Sequence, residues 1–404
     1  MVTVAQAEKI ILREARDYGL EQVPFQEALG RVLAEDLFAD RDLPPTDRAT
    51  MDGIAIQYAA FASGCRSFKI KATIAAGDPP VNIENPEECV EIMTGASLPV
   101  SVDTVVRYED LKIGNGAALI CTDAIKNGQN LHRRGQDKTA GSLIVKAHQK
   151  ITPALIGILA SVGKSEVMVK RVPRIVVIST GGELIAVDEQ PTPHQVRRSN
   201  SYTVKAVLQQ HGICAAVRHI PDDPEITGRE LETCLANYDV IILSGGVSMG
   251  KFDYVPGALA ALGVDKLFHK VQQRPGKPFW FGRSQGAGQN NGKLVFAFPG
   301  NPVSTFLCLH RYFLPWLGLQ LGAFGNSSNC YAILDENVTF TLPMQYFMQV
   351  KLKFNEQGQV LALPVEGNGS GDFSNLTDSD AFMELPLERD EFKRGDVFPV
   401  WRFK

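Results

Sequence analysis

The spacing of apolar residues changes character along the chain, and each change predicts a different kind of structure. At the start, Val4, Ala7, Ile10, Ile11 and Ala15 recur at helical spacing. Thr3 with Gln6 makes a capping-box pattern before them, and Gly19 supplies a stop. A second short helix is expected over 25–34, and Pro44-Pro45 then interrupts regular structure and marks a domain edge. From 50 to 132, apolar runs at 68–74, 90–93, 104–108 and 117–121 are separated by turns such as GDPP and GNG, which predicts a small β-rich module. ITPALIGILASVG returns to helical spacing and ends at Gly163, and SEVMVKRVP reads as a strand leaving the domain at Pro173.

Beyond residue 174, apolar β-branched runs alternate with helical patterns. RIVVIST, CAAVRHI, DVIILS, KLFHKVQ and KLVFAFP are the expected strands, and 199–210, 225–237, 255–262 and 303–316 the expected helices. Strands apolar on both faces and followed by helices predict a parallel, doubly wound α/β sheet. SQGAGQNNG, at 284–292, reads as a surface loop. From 318 to 404, CYAILDENVTFTL, YFMQVKLKF, QVLALPV and DVFPVWRF alternate and are separated by turns, as in an all-β sandwich or barrel. The charged stretch LERDEFKRGD reads as a solvated turn.

Composition narrows the classes. With 44% hydrophobic and 21% charged residues over 404 positions, the chain is no disordered, collagen-like or coiled-coil protein. Lys plus Arg is 41 against 45 Asp plus Glu, a net charge of −4, which argues against a nucleic-acid partner. The seven Cys form no C-x-x-C pair, so neither a disulfide framework nor a zinc ribbon is expected. There is no H-E-x-x-H, no apolar run of about 18 residues to span a bilayer, and charges interrupt the first residues as they do not in a signal peptide. A cytoplasmic protein without a membrane partner is expected.

Three of the expected strands run into Gly-rich turns: STGGEL, SGGVSMGKFDY and FPGNPVS. In an open parallel sheet, ligands bind beyond the carboxyl ends of the strands. Glycine lets backbone N–H groups approach phosphate oxygens, and a helix N-terminus favours an anion. Singly, each turn reads more often as an ordinary βα loop; three in one domain favour an anionic ligand. Arg274 and Lys277 flank the turn in RPGK, and either hold an oxyanion or are solvated surface cations. Glu183, Asp222, Asp223 and Asp253 follow strands or Gly-rich turns, where carboxylates suit Mg²⁺ beside phosphate. One of Asp222 and Asp223 reads alternatively as the N-cap of the helix that Pro224 opens. Thr50-Met51-Asp52-Gly53 and Met93-Thr94-Gly95-Ala96 read, on composition, as simple turns.

Together, in order, DRATMDGIAI, EIMTGASLPVSVDTVVRYED, RRGQDKTAG, STGGEL, RRSN, SGGVSMGKFDY, RPGKPFWFG and FPGNPVS resemble the molybdopterin molybdenumtransferase family, that of MoeA and the gephyrin E domain. The resemblance spans nearly the whole chain and is weakest after residue 330. It implies a multidomain fold. Residues 1–43 and 133–173 would form an extended, discontinuous N-terminal domain, 44–132 an inserted β-rich domain, 174–317 a doubly wound α/β molybdopterin-binding domain, and 318–404 a C-terminal β-barrel-like domain. It implies insertion of molybdate into the dithiolene of adenylated molybdopterin with release of AMP, Mg²⁺ as cofactor, and a homodimer open to other molybdenum cofactor biosynthesis proteins.

The same resemblance assigns roles. Asp52, Thr94 and Asp137 would line a cleft completed by a second subunit. Asp222, Asp223 and Asp253 would hold the metal, with Glu183 on the same acidic edge, and Arg274 and Lys277 would hold molybdate or phosphate. Asn200, Ser244, Gly245, Gly246, Ser248, Gly250, Pro275, Gly276, Pro299, Gly300, Asn301, Pro302, Ser304 and Ser370 would shape the pterin and nucleotide site. Four positions depart from the family pattern. Gly182 stands where it reads Asp, Gln349 (with Lys351 nearby) where it reads Arg, Arg274 where it reads Lys, and Glu91 where Arg precedes Ile. Two other readings therefore stay open: a non-catalytic molybdopterin-binding or scaffold paralogue, and an adenylyltransferase acting one step earlier. Residues 1–170 and 318–404 argue against the adenylyltransferase.

Overall fold

The computed structural model describes residues 1–247, 254–285, 291–322 and 330–404. The chain divides into two compact units. One comprises Met1–Ala34, His148–Ile156 and Glu166–Lys404, the other Glu35–Ala147 and Gly157–Ser165.

In the larger unit, the helix Val4–Arg13 forms with Thr3 as N-cap and the full capping box, burying Val4, Ala7 and Ile11. The helix expected over 25–34 is reduced to one 3₁₀ turn, Phe25–Glu27. Its neighbours are held by pairing instead: Leu20–Pro24 runs antiparallel to Glu166–Lys170, and Leu33 bridges Val169. Long-range backbone hydrogen bonds here override local helical spacing.

The central sheet has six strands in the order Ala216–Ile220, Ile175–Thr180, Val240–Ser244, Asn291–Phe298, Trp280–Gln285, Val264–His269. The first four are parallel. Trp280–Gln285 runs antiparallel to both of its neighbours, Asn291–Phe298 and Val264–His269. Every residue of Ile175–Thr180 and of Val240–Ser244 is buried, as a sheet covered on both faces requires. Alternation divides them. Val177 and Ile242 pack with Val204, Leu208 and Leu307, while Ile178 and Leu243 pack with Leu231, Cys234 and Leu259.

The chain from Pro302 to Gln320 is helical throughout, with a π turn, Leu309–Phe313, between two α segments. The extra residue per turn just ahead accommodates Pro315, which has no amide hydrogen to donate.

After 330, five strands close on themselves. The order Gln345–Phe354, Val360–Pro364, Cys330–Leu334, Val397–Arg402, Ala381–Leu385 returns to Gln345–Phe354, so no edge is left open. Of the sandwich and the barrel, the chain forms the barrel.

Asp239 immediately precedes the strand Val240–Ser244 and receives the Arg174 backbone amide at 2.9 Å and Lys293 Nζ at 3.1 Å. Burial pushes its carboxyl up, but Arg174 and Lys293 outweigh it and bring the pKa down to about 2. A carboxylate depressed on folding stabilises above its unfolded pKa of about 3.9, and that stability is lost as pH falls through the folded value. Asp239→Asn is therefore expected to cost about 2 kcal/mol at neutral pH. Urea titrations should show the gap from wild type closing between about pH 4 and pH 2; a constant gap would exclude this linkage.

The smaller unit holds a six-stranded sheet in the order Thr104–Arg107, Gly53–Ile56, Glu88–Ile92, Ser67–Ile74, Ala117–Ile120, Leu111–Gly114. Gly53 lies so close to its neighbour that a Cβ would stand 1.9 Å from the Val106 carbonyl oxygen. The TMDG glycine is thus part of a strand pairing, not of a free turn.

Candidate functional site

A cavity of about 960 Å³ opens in the larger unit where the strands Ile175–Thr180, Val240–Ser244 and Asn291–Phe298 end. The strand ends and the turns after them build its wall: Ser179 to Gly181, Ser244 to Val247, and Pro299 to Pro302.

Asn200, the first residue of the helix Asn200–Gln210, ties two of these turns together. Its amide donates to Ser244 Oγ at 2.8 Å and to the Gly300 carbonyl at 2.7 Å. Thr305 Oγ1 donates to the Pro299 carbonyl at 2.6 Å and lies 3.3 Å from Ser244 Oγ. Gly245 has φ +98°, and a Cβ there would meet the Thr180 carbonyl at 2.7 Å and Thr180 Oγ1 at 2.9 Å. That close approach explains glycine at this turn.

The third turn is braced from the C-terminal region. Asn301 leads into the helix Pro302–Cys308 without capping it, and its amide donates to Ser370 Oγ at 2.7 Å. The Val303 amide donates to the Ser370 carbonyl at 3.1 Å, and Gly371 and Phe373 reach the cavity wall.

Acidic side chains join the first of these turns on the cavity wall. Asp222 Oδ2 accepts the Gly182 amide at 2.8 Å, and Glu183 also lines the wall. The adjacent acid does something else: Asp223 Oδ1 accepts the Ile226 amide at 2.8 Å and caps the helix Pro224–Asn237.

The comparisons with known proteins cover nearly the whole chain. Residues 2–163 match the MoeA N-terminal region (domains I and II), 176–318 a probable molybdopterin binding domain, and 327–403 the MoeA C-terminal region (domain IV). A molybdopterin molybdenumtransferase of Synechocystis sp. is 38% identical over 403 residues, 99% of this chain and all of that one. The chain belongs to the molybdopterin molybdenumtransferase (MoeA) family. Its members are enzymes of molybdenum cofactor biosynthesis. The enzyme of that name from Bacillus subtilis is 30% identical over 94% of this chain and 89% of its own. A crystal structure of a MoeA protein from Pyrococcus horikoshii superposes with a TM-score of 0.79 at 29% identity, over 100% of this chain and 99% of that one.

Of the residues expected from the MoeA pattern, the cavity wall gathers Glu183, Asp222, Asn200, Ser244, Gly245, Gly246, Pro299, Gly300, Asn301 and Pro302. Ser370 stands behind Asn301. Ser304 is 3% exposed within its helix and does not reach the wall. Arg274, Pro275, Gly276 and Lys277 do not line the cavity either, although Pro278 does. Arg274 is exposed at the end of a short strand that pairs with Gln345 and Tyr346. Ser248, Gly250 and Asp253 lie outside the described residues.

Asp52, Thr94 and Asp137 belong to the smaller unit. There Asp52 Oδ1 accepts both the Thr94 amide at 2.6 Å and the Thr94 hydroxyl at 2.7 Å. The amide bond and then the hydroxyl bond hold the exposed Asp52 carboxyl below the usual carboxylate range. Asp137 Oδ1 lies 2.9 Å from His132 Nε2.

Sequence reasoning passed over Thr180, Arg197 and Arg198, which also line the cavity. The signal for the arginines was the pair of cations in RRSN immediately before a helix start.

Mg²⁺ can be tested against this wall. Among the described residues, no three His, Cys, Asp or Glu side chains converge as a ready cage. Mg²⁺ does not require one, since it keeps several waters and takes one or two carboxylates together with substrate phosphates. Glu183 and Asp222 are hard oxygen donors on one wall of a cavity large enough for a nucleotide-sized ligand, and they fit.

Proposed function

We propose that this chain inserts molybdate into the dithiolene of adenylated molybdopterin and releases AMP. The observation that carries the reading is the cavity at the ends of the parallel strands, lined by a tied set of Gly-rich turns and by Glu183 and Asp222. The turns offer backbone N–H groups to phosphate oxygens. Asn200 holds two of them in register, so those donors need no rearrangement when the substrate binds. Glu183 and Asp222 would hold Mg²⁺, which supplies charge neutralisation to the phosphoanhydride. The dithiolene sulfurs belong to the substrate, so no protein thiol is needed. Buried Cys308 and Cys234 suit that view, because burial pushes the Cys234 thiol up to about 11 and Cys308 higher still.

We further propose that the protein works in the cytoplasm as a homodimer. The resemblance sets Asp52, Thr94 and Asp137 against the cavity of a second subunit. Among the described residues, no helix is long and apolar enough to cross a membrane.

The test is direct. Purified protein with adenylated molybdopterin, Mg²⁺ and molybdate is expected to yield molybdenum cofactor and AMP in equal amounts. Pterin binding without turnover would sink the enzymatic reading and favour the scaffold. Two observations speak for that second reading: Gly182 contributes a backbone amide, not a carboxylate, beside Asp222, and uncharged Gln349 accepts the Ser379 hydroxyl at 3.2 Å.

A further inference from the structure

We propose that Arg197 and Arg198 clamp the diphosphate linkage of the adenylated substrate and thereby give this cavity its preference for adenylated over plain molybdopterin; this rests on the function proposed above. Among the described residues, these two are the Lys or Arg side chains on the cavity wall. Arg274 and Lys277, the cations expected from the motif, are not on it.

Each guanidinium is anchored from behind. Arg197 Nε donates to the Glu189 carbonyl at 3.1 Å, and Arg198 Nε to the Ile185 carbonyl at 3.2 Å. The backbone beneath is pinned as well. The Val196 amide donates to the Glu183 carbonyl at 3.0 Å and the Arg198 amide to the Ile185 carbonyl at 3.1 Å, while 184–185 pairs with 196–197. The terminal guanidinium nitrogens have no hydrogen-bond or carboxylate partner among the described residues. A guanidinium held by Nε still presents its two terminal nitrogens as a fork, the geometry that receives a phosphate bidentately.

Two further observations at the same wall point to an anion. Thr180 is 6% exposed, and its buried Oγ1 has no hydrogen-bond partner among the described residues. Ser199, the residue after the arginines, provides no side-chain cap to the 11-residue helix Asn200–Gln210, which leaves its first amides available. Plain molybdopterin carries one phosphate, whereas the adenylated form carries two joined together. Two adjacent, separately anchored guanidiniums match the second. The carboxylates Glu183 and Asp222 on the same wall would repel a bare diphosphate, so the arginines also offset that repulsion.

The experiment measures binding of adenylated and plain molybdopterin, and the KM for molybdate, on the purified full chain. It compares wild type, Arg197→Ala, Arg198→Ala, the double variant and the two lysine variants. Losing a charged hydrogen-bond pair corresponds to about 10-fold in affinity, so about 10-fold per alanine and about 100-fold for the double variant are expected on the adenylated form. Plain molybdopterin should weaken by less than about 3-fold, lysine should recover part of the loss, and added salt should weaken wild type more than the double variant. Equal losses on both pterins would mean that the arginines merely hold the loop, and would overturn the assignment. So would unchanged affinities, or a change confined to the molybdate KM. A wild type that binds neither pterin would overturn the proposed function and this assignment with it; binding that the variants leave intact overturns the assignment alone.

Discussion

Asp222→Asn is expected to slow AMP release by about a hundred- to a thousandfold, the scale on which a preorganised electrostatic group acts at a reacting centre. The substitution isolates charge. Asp222 is exposed and contributes nothing to the core, and asparagine keeps an oxygen able to accept the Gly182 amide that Asp222 Oδ2 now accepts at 2.8 Å. The turn between Gly181 and Glu183 should therefore persist while the anionic donor for Mg²⁺ disappears. Calorimetric titration with Mg²⁺ in the presence of AMP should show weaker binding, and the thermal melt should be unchanged. Asp223→Ala is the internal control. It removes a helix cap, at about 1 kcal/mol of stability, and leaves the cavity wall intact. Wild-type turnover in Asp222→Asn would remove this carboxylate from the reacting phosphates.

Arg311→Ala is expected to lower the stability of the larger unit by about 3–5 kcal/mol, because it strands two acids that a buried guanidinium now pairs. The Arg311 side chain is 5% exposed and makes contacts at 2.8 Å with Glu8 and 3.2 Å with Glu384, which are 33% and 11% exposed. Glu384 Oε2 also accepts the Trp401 indole N–H at 2.6 Å, and the Arg311 guanidinium sits 4.3 Å from the Trp401 ring centroid. One side chain thus joins the first helix, the π turn and two barrel strands. Urea unfolding followed by tryptophan fluorescence would measure the loss. Adding Glu384→Gln to Arg311→Ala should recover part of it, since the stranded charge is then removed. A loss under about 1 kcal/mol would show that water screens the network as it does a surface pair.

Local chemistry made much of this molecule legible. The spacing of Val4, Ala7 and Ile11 and the Thr3–Gln6 box specify the first helix because every interaction that starts it lies within one turn. Runs such as IVVI and VIIL are apolar at every position, which only a strand buried on both faces tolerates, and so they predict the central parallel strands. The three Gly-rich turns after those strands predict the cavity, because the end of a parallel strand and the loop leaving it are contiguous in the chain.

What depended on distant partners was decided by tertiary structure. Residues 25–34 carry a helical pattern, yet pairing with strands more than a hundred residues later forms a 3₁₀ turn and bridges in its place. The barrel closes through Gln345–Phe354 and Ala381–Leu385, a pairing no local pattern contains. Asp222 and Asp223 are equivalent in composition, and only the start of the following helix sends one to the cap and the other to the cavity. Arg274 and Lys277 are the cations that the motif suggests, but Arg274 lies on a strand paired with the barrel, and of that turn only Pro278 is on the wall. Arg197 and Arg198 stand there instead. Residue type dictates what a side chain can bind, but which side chains share a cavity is set by backbone pairing between segments far apart in sequence.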